Sequence, residues 1–146
     1  MATLSRIIIS IDKPGVRVLR RGKRTEAYQQ VRARVGKLLT LHENWNTYGA
    51  KIPSQRALFF TLHFMRDAIG VLLDHGISVP APFLAPTASG GVQLEWHIGP
   101  RELELEIPGK GRFEFLVVDG SNKAEGEASR WMAMRLLCWV ITGEMA

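Results

Sequence analysis

Five glutamates, Glu95, Glu102, Glu104, Glu106 and Glu114, alternate with apolar residues across one short stretch of the chain. Alternate side chains of an extended segment share a face, so these carboxylates are expected on one side of a sheet. Paired carboxylates such as Glu95 and Glu104 have the chemistry for acid–base work or for holding Mg²⁺. Both uses need a pocket in which the groups converge, and a flat sheet face offers none. Like charges directly opposed across strands also weaken the pairing. The face is therefore expected to be wet, relieved by Arg101, Lys110 and Arg112, or covered by a cationic partner.

A second charged group has the opposite sign. Arg17, Arg20, Arg21, Lys23 and Arg24 fall within eight residues, and residues 1–40 hold ten Lys/Arg against two acids. The remaining residues hold nine Lys/Arg against twelve Asp/Glu, so the net charge of +5 conceals a strong segregation. Such asymmetry points to a polyanionic or acidic partner, or to the basic part folding on the acidic part. A basic run neutralises phosphates without reading sequence. No helix-turn-helix or RNA-binding signature accompanies it.

Other chemistry has little support. The four histidines, His42, His63, His75 and His97, are scattered. His63 and Asp67 stand four apart, without the further ligand pair that zinc needs. The single cysteine, Cys138, lies in an apolar run and reads as core filler. No Gly-x-Ser-x-Gly, P-loop or His-Glu-x-x-His motif occurs. The expectation is a non-enzymatic chain with no cofactor and no metal.

The aromatic residues suggest contact surfaces. Trp45 and Tyr48 stand in a loop among Asn, Thr and Gly, between His42 and Pro53. Trp131 and Trp139 stand in a terminal segment whose only charge between Trp131 and Ile141 is Arg135. A helix apolar on most sides is central to a core or buried in a partner. Trp45, Tyr48, Trp131 and Trp139 are the expected partner anchors, because buried aromatics dominate interface energetics.

The elements that must position these residues follow from periodicity. Val92–Ile98, Leu103–Ile107 and Phe113–Val117 alternate around Gly/Pro turns and predict a three-strand antiparallel meander. Leu4–Ile11 and Val16–Arg20 read as an N-terminal hairpin about an Asp12-Lys13-Pro14-Gly15 turn. The run 20–24 reads as a loop. Helices are expected from Thr25, as N-cap, to about Leu41, from Ser54 to Gly76, and from about Lys123 to Thr142. The Leu39 and Phe59 side chains join the predicted apolar stripes. Pro80, Pro82 and Pro86 make 78–86 an extended connector.

Asn44-Trp45-Asn46-Thr47-Tyr48-Gly49-Ala50, then Pro53-Ser54, an apolar helix, and Gly90-Gly91-Val92-Gln93-Leu94-Glu95-Trp96 resemble a group of small, uncharacterised bacterial proteins. These pair a Gly-Trp-Asp-Gly-Tyr-Gly-Ala…Pro loop with a Gly-Gly-Val-x-Leu-Glu-Trp strand. The resemblance covers roughly residues 41–118. This chain departs from it at Asn44, Asn46 and Thr47, where the pattern has Gly, Asp and Gly. The resemblance implies a bacterial or phage origin and a fold, not an activity.

Residues 1–146 are thus expected to form a single α+β domain of two layers. An antiparallel meander, extended by the N-terminal hairpin, packs against about three helices. The expected function is protein interaction, with a protein partner or a second copy, as in an antitoxin-like or phage-defence subunit. Nucleic-acid binding through the basic cluster is the alternative. No targeting segment or membrane span is read, so the expected location is cytoplasmic.

Overall fold

Alternation decides the sheet. In the computed structural model, which describes residues 14–144, five strands run β1 (Phe83–Pro86), β2 (Val92–Ile98), β3 (Arg101–Ile107), β4 (Phe113–Asp119) and β5 (Asn122–Ala128). They form one antiparallel sheet in chain order. The expected three-strand meander is its centre. Helices α1 (Pro14–Leu38), α2 (Gln55–Asp74) and α3 (Arg130–Thr142) make the second layer of an α+β fold.

The core lies between the layers. Val92, Leu94 and Trp96 of β2 and Leu103, Leu105 and Ile107 of β3 are buried against Phe64, Met65, Ile69 and Leu72 of α2 and Leu137 of α3. Phe113, Phe115 and Val117 pack partly buried on the same cluster. Val31, Val35 and Leu38 anchor the C-terminal part of α1 to it. Leu39 and Phe59, expected on the apolar stripes, are exposed instead.

Helix ends follow local chemistry. Ser54 and Ser129 N-cap α2 and α3 by accepting from the Ala57 and Met132 amides. After α2, Gly76 N–H bonds Leu73 O and Ile77 N–H bonds Leu72 O, a Schellman closure. α3 ends under Arg101, whose Nε donates to Val140 O at 3.1 Å and Nη2 to Ile141 O at 3.4 Å. Arg101 thus serves the carbonyl end of a helix on the core side, where cations are favoured, and gives no relief to the glutamates.

Three expectations change. Val16–Arg20 is not a return strand, and 20–24 is not a loop: both belong to α1, which begins at Pro14, so Thr25 lies within the helix rather than capping it. The Val-Arg-Val-Leu-Arg run mimics strand alternation, but Leu, Arg, Lys, Glu and Gln favour helix and Pro suits a first turn. The partner strand expected at 4–11 lies outside the described residues. The third change is at the far end. Asn122–Ala128 is a strand rather than the start of the last helix. Gly120 takes φ +61° in a two-residue turn that registers Asp119 with Asn122. The connector around Pro82 and Pro86 includes β1, an edge strand, where Pro is tolerated.

Candidate functional site

All three helices pack on one face of the sheet. The register fixes what stands on the other. One row across the strands reads Ala85, Gln93, Glu106, Glu114, Glu127. The next reads Phe83, Glu95, Glu104, Leu116, Glu125. A third holds His97, Glu102, Val118 and Lys123. The five glutamates read from sequence share this face, and β5 adds Glu125 and Glu127, which a helical reading of 123–128 had removed from it. Their signal was present: Lys123, Glu125 and Glu127 alternate with Ala124, Gly126 and Ala128 after a Gly120-Ser121 hairpin turn.

The electrostatics are those of crowded like charge. Glu95 is registered with Glu104, and Glu106 with Glu114, which is registered in turn with Glu127. Partial burial pushes the Glu104 carboxyl above its ordinary value, and the Glu95 and Glu102 charges add to this, while His97 and Lys123 oppose it. Glu106 is likewise raised, by burial first and then by Glu114, against a hydrogen bond from the Thr87 side chain. Relief is thin. His97 stands 3.3 Å from Glu102 and 3.8 Å from Glu95. Gln93 donates to Glu95 at 2.5 Å. Arg112 lies 4.0 Å from Glu127, with both groups largely in solvent. Among the described residues, no three His, Cys, Asp or Glu side chains converge to hold a metal ion.

The aromatic loop is built differently. Asn44 N–H bonds Ala50 O at 2.7 Å, and the Asn44 side-chain oxygen accepts from Gly49 N–H. Asn46 Oδ1 accepts from the Tyr48 amide at 2.9 Å and the Ala50 amide at 3.2 Å. The Trp45 indole donates to Lys51 O at 2.9 Å. The loop is then tied to the turn before β2: Lys51 N–H bonds Ala88 O, and Ser54 N–H bonds Gly90 O. At Gly91 a side chain has no room, since a Cβ would lie 2.8 Å from Ile107 O and 2.9 Å from Thr87 Oγ1. Residues 44–54 and 87–91 are therefore one structural unit.

Asn44 and Thr47 adopt φ of +59° and +64°, the left-handed region that glycine occupies without penalty. Asn tolerates that region, whereas a β-branched Thr is strained there. Asn46 makes the acceptor contacts that an Asp would make equally well.

The four expected anchors do not form one surface. Tyr48 is 90% exposed, while Trp45 is half-buried. Trp131 is exposed and lines a groove of about 610 Å³ between α2 and α3, crossed by the Arg130–Asp67 ion pair. Asp67 thus pairs with Arg130, and His63 stacks on Phe59 at 4.1 Å. Trp139 packs half-buried on the core. The terminal helix is apolar because it is core: Ala133, Met134, Leu136, Leu137, Cys138 and Val140 are all buried. Burial also raises the Cys138 thiol.

Arg17, Arg20, Arg21, Lys23 and Arg24 all lie in α1. Comparison with protein-family models, curated proteins and solved structures finds no match to this chain. No helix among the described residues is long and apolar enough to cross a membrane.

Proposed function

We propose that this chain is a non-catalytic protein-interaction module whose docking surface is the outer face of the sheet. The observation that carries the reading is the registered glutamate face. Seven carboxylates stand there against Lys123 and Arg112 in a sheet whose other face takes all three helices. Opposed like charges cost pairing energy, and a cationic partner offsets that cost. Leu116, Val118 and the exposed Phe83 add apolar contact among the charges.

The occupant is an Arg/Lys-rich segment of a protein. A segment of that chemistry exists in the chain itself: Pro14–Arg24 carries five Lys/Arg and no acid. In its fullest form the reading is a cytoplasmic subunit of bacterial or phage origin, antitoxin-like or part of a phage-defence assembly. Its basic partner is then encoded nearby.

A synthetic peptide of residues 14–24 tests the surface directly. At low salt it should shift the amide resonances of β2–β5, and Glu104→Lys with Glu114→Lys should abolish the shifts. No binding at low salt removes the reading. Light scattering of the full chain then assigns the partner: a dimer or larger species points to a second copy, and a monomer that binds the peptide points to another protein.

A second reading rests on the helical state of the basic cluster. Arg17, Arg20, Arg21 and Arg24 recur at i, i+3, i+4 and i+7 within α1, a basic run able to neutralise phosphates. It requires retention on DNA or RNA that falls steeply with salt and is lost on replacing Arg20, Arg21 and Arg24 with Ala.

A further inference from the structure

A cavity of about 200 Å³ opens where the β3–β4 turn meets the starts of α2 and α3. Three arginines line it, from α2, from the turn before β4 and from α3. Arg56 is the second residue of α2, Arg112 immediately precedes β4, and Arg130 is the first residue of α3. Phe60 and Phe113 form apolar walls, and no carboxylate is among the lining residues.

Each guanidinium is steered by a contact that leaves donors to spare. Arg56 Nη1 donates to Gly109 O at 3.0 Å, and its guanidinium lies 4.8 Å over the Phe60 ring. Arg112 stands 4.0 Å from Glu127. Arg130 is paired with Asp67 through Nη2. A guanidinium carries five N–H donors, so these contacts do not saturate the groups. The N-cap Ser129 also lines the cavity, which places the positive end of α3 beside the three cations.

We propose that this cavity binds a phosphate dianion, free or as a phosphomonoester. A carboxylate is planar and is satisfied by one bidentate arginine. Three arginines lining one cavity, from α2, the turn before β4 and α3, offer more donors than a carboxylate uses and suit a tetrahedral anion with several acceptor oxygens instead. The cavity is below the usual size of a drug-like ligand pocket, so the anionic group is the part enclosed and any larger ester extends into solvent. The site touches the sheet face only through Arg112, which also contacts Glu127, and it does not depend on the function proposed for that face.

Titration of the full chain with inorganic phosphate at low ionic strength, followed by ¹H–¹⁵N NMR, tests the proposal. Saturable shifts are expected at the Arg56, Arg112 and Arg130 side chains and at the amides of residues 129–131. Arg56→Gln with Arg112→Gln should weaken binding at least tenfold, and this pair leaves the Arg130–Asp67 ion pair intact. Arg20→Gln with Arg21→Gln should leave the titration unchanged. Phenyl phosphate distinguishes the sources: equal affinity assigns the free anion, and tighter binding assigns an ester that uses the Phe60 and Phe113 walls. Absence of saturable shifts, or unchanged affinity in the Arg56/Arg112 variant, overturns the proposal.

Discussion

The loop–turn unit and the outer sheet face are both polar, adjoin at Thr87, and are built on opposite principles. In the unit formed by residues 44–54 and 87–91, Asn44, Asn46, Trp45, Lys51 and Ser54 all bond backbone within the unit. On the sheet face, carboxylate is set against carboxylate, two of them are pushed up in pKa, and helices cover only the opposite side. Side-chain hydrogen bonds to nearby backbone mark a structural device, because they fix the turn conformation. Unrelieved like charge marks a surface whose stability is improved by something outside the chain.

Substitutions can break this comparison, beginning with the unit. Gly91→Ala drives a Cβ to 2.8 Å from Ile107 O and 3.2 Å from Pro108 Cα, both backbone atoms that cannot swing away. The expected loss is about 2–3 kcal/mol, the cost of overpacking a tight site, read as a lower denaturation midpoint. Wild-type stability would mean that the unit is looser than its hydrogen bonds indicate.

Thr47→Gly has the opposite sign. It relieves a β-branched residue at φ +64° and should raise stability by about 1 kcal/mol. Thr47→Ala keeps a Cβ in the same region and should recover little of this gain. If both variants gain equally, the strain is not in the backbone.

The sheet face responds less and with a pH signature. A carboxyl whose folded pKa is raised holds its proton more tightly in the folded chain than in the unfolded one. Stability therefore rises as pH falls through the raised values of Glu104 and Glu106, and the penalty is fully present above them. Glu106→Gln removes one opposed charge and should stabilise by about 0.5 kcal/mol at neutral pH, within the range of cross-strand pairs. It should also flatten the pH dependence between neutrality and the ordinary glutamate range. A variant less stable than wild type at neutral pH would place Glu106 among satisfied groups, like those of the loop.

The smallest effect is expected at Asn46. Asn46→Asp keeps both acceptor contacts to the Tyr48 and Ala50 amides and should change stability by less than about 0.5 kcal/mol. Asn46→Ala loses both contacts and should cost about 1 kcal/mol. A large effect of Asn46→Asp on binding, with none on folding, would move the loop from scaffold to recognition surface.

Much of this was legible in the chain. The faces of β2, β3 and β4 are set by alternation, a local property of the pleat, so the core residues and five of the glutamates could be assigned without coordinates. Ser54 and Gly76 marked the ends of α2 through chemistry confined to one turn. The errors fell where two local patterns compete. Val16–Arg20 alternates like a strand yet consists largely of residues a helix accepts. Asn122–Ala128 has the Ala, Glu and Lys of a helix, yet an edge position beside β4 holds it extended.

Sequence by itself determined a two-layer α+β chain with a charged sheet face, a basic N-terminal part and an apolar last helix, since each follows from periodicity or from composition within a segment. Tertiary structure alone decided which glutamates oppose one another, because register depends on how separate strands meet. It alone joined Asn44–Ala50 to Gly90-Gly91, and it alone brought Arg56, Arg112 and Arg130 to one cavity, because contacts between residues distant in sequence are made only when the layers pack.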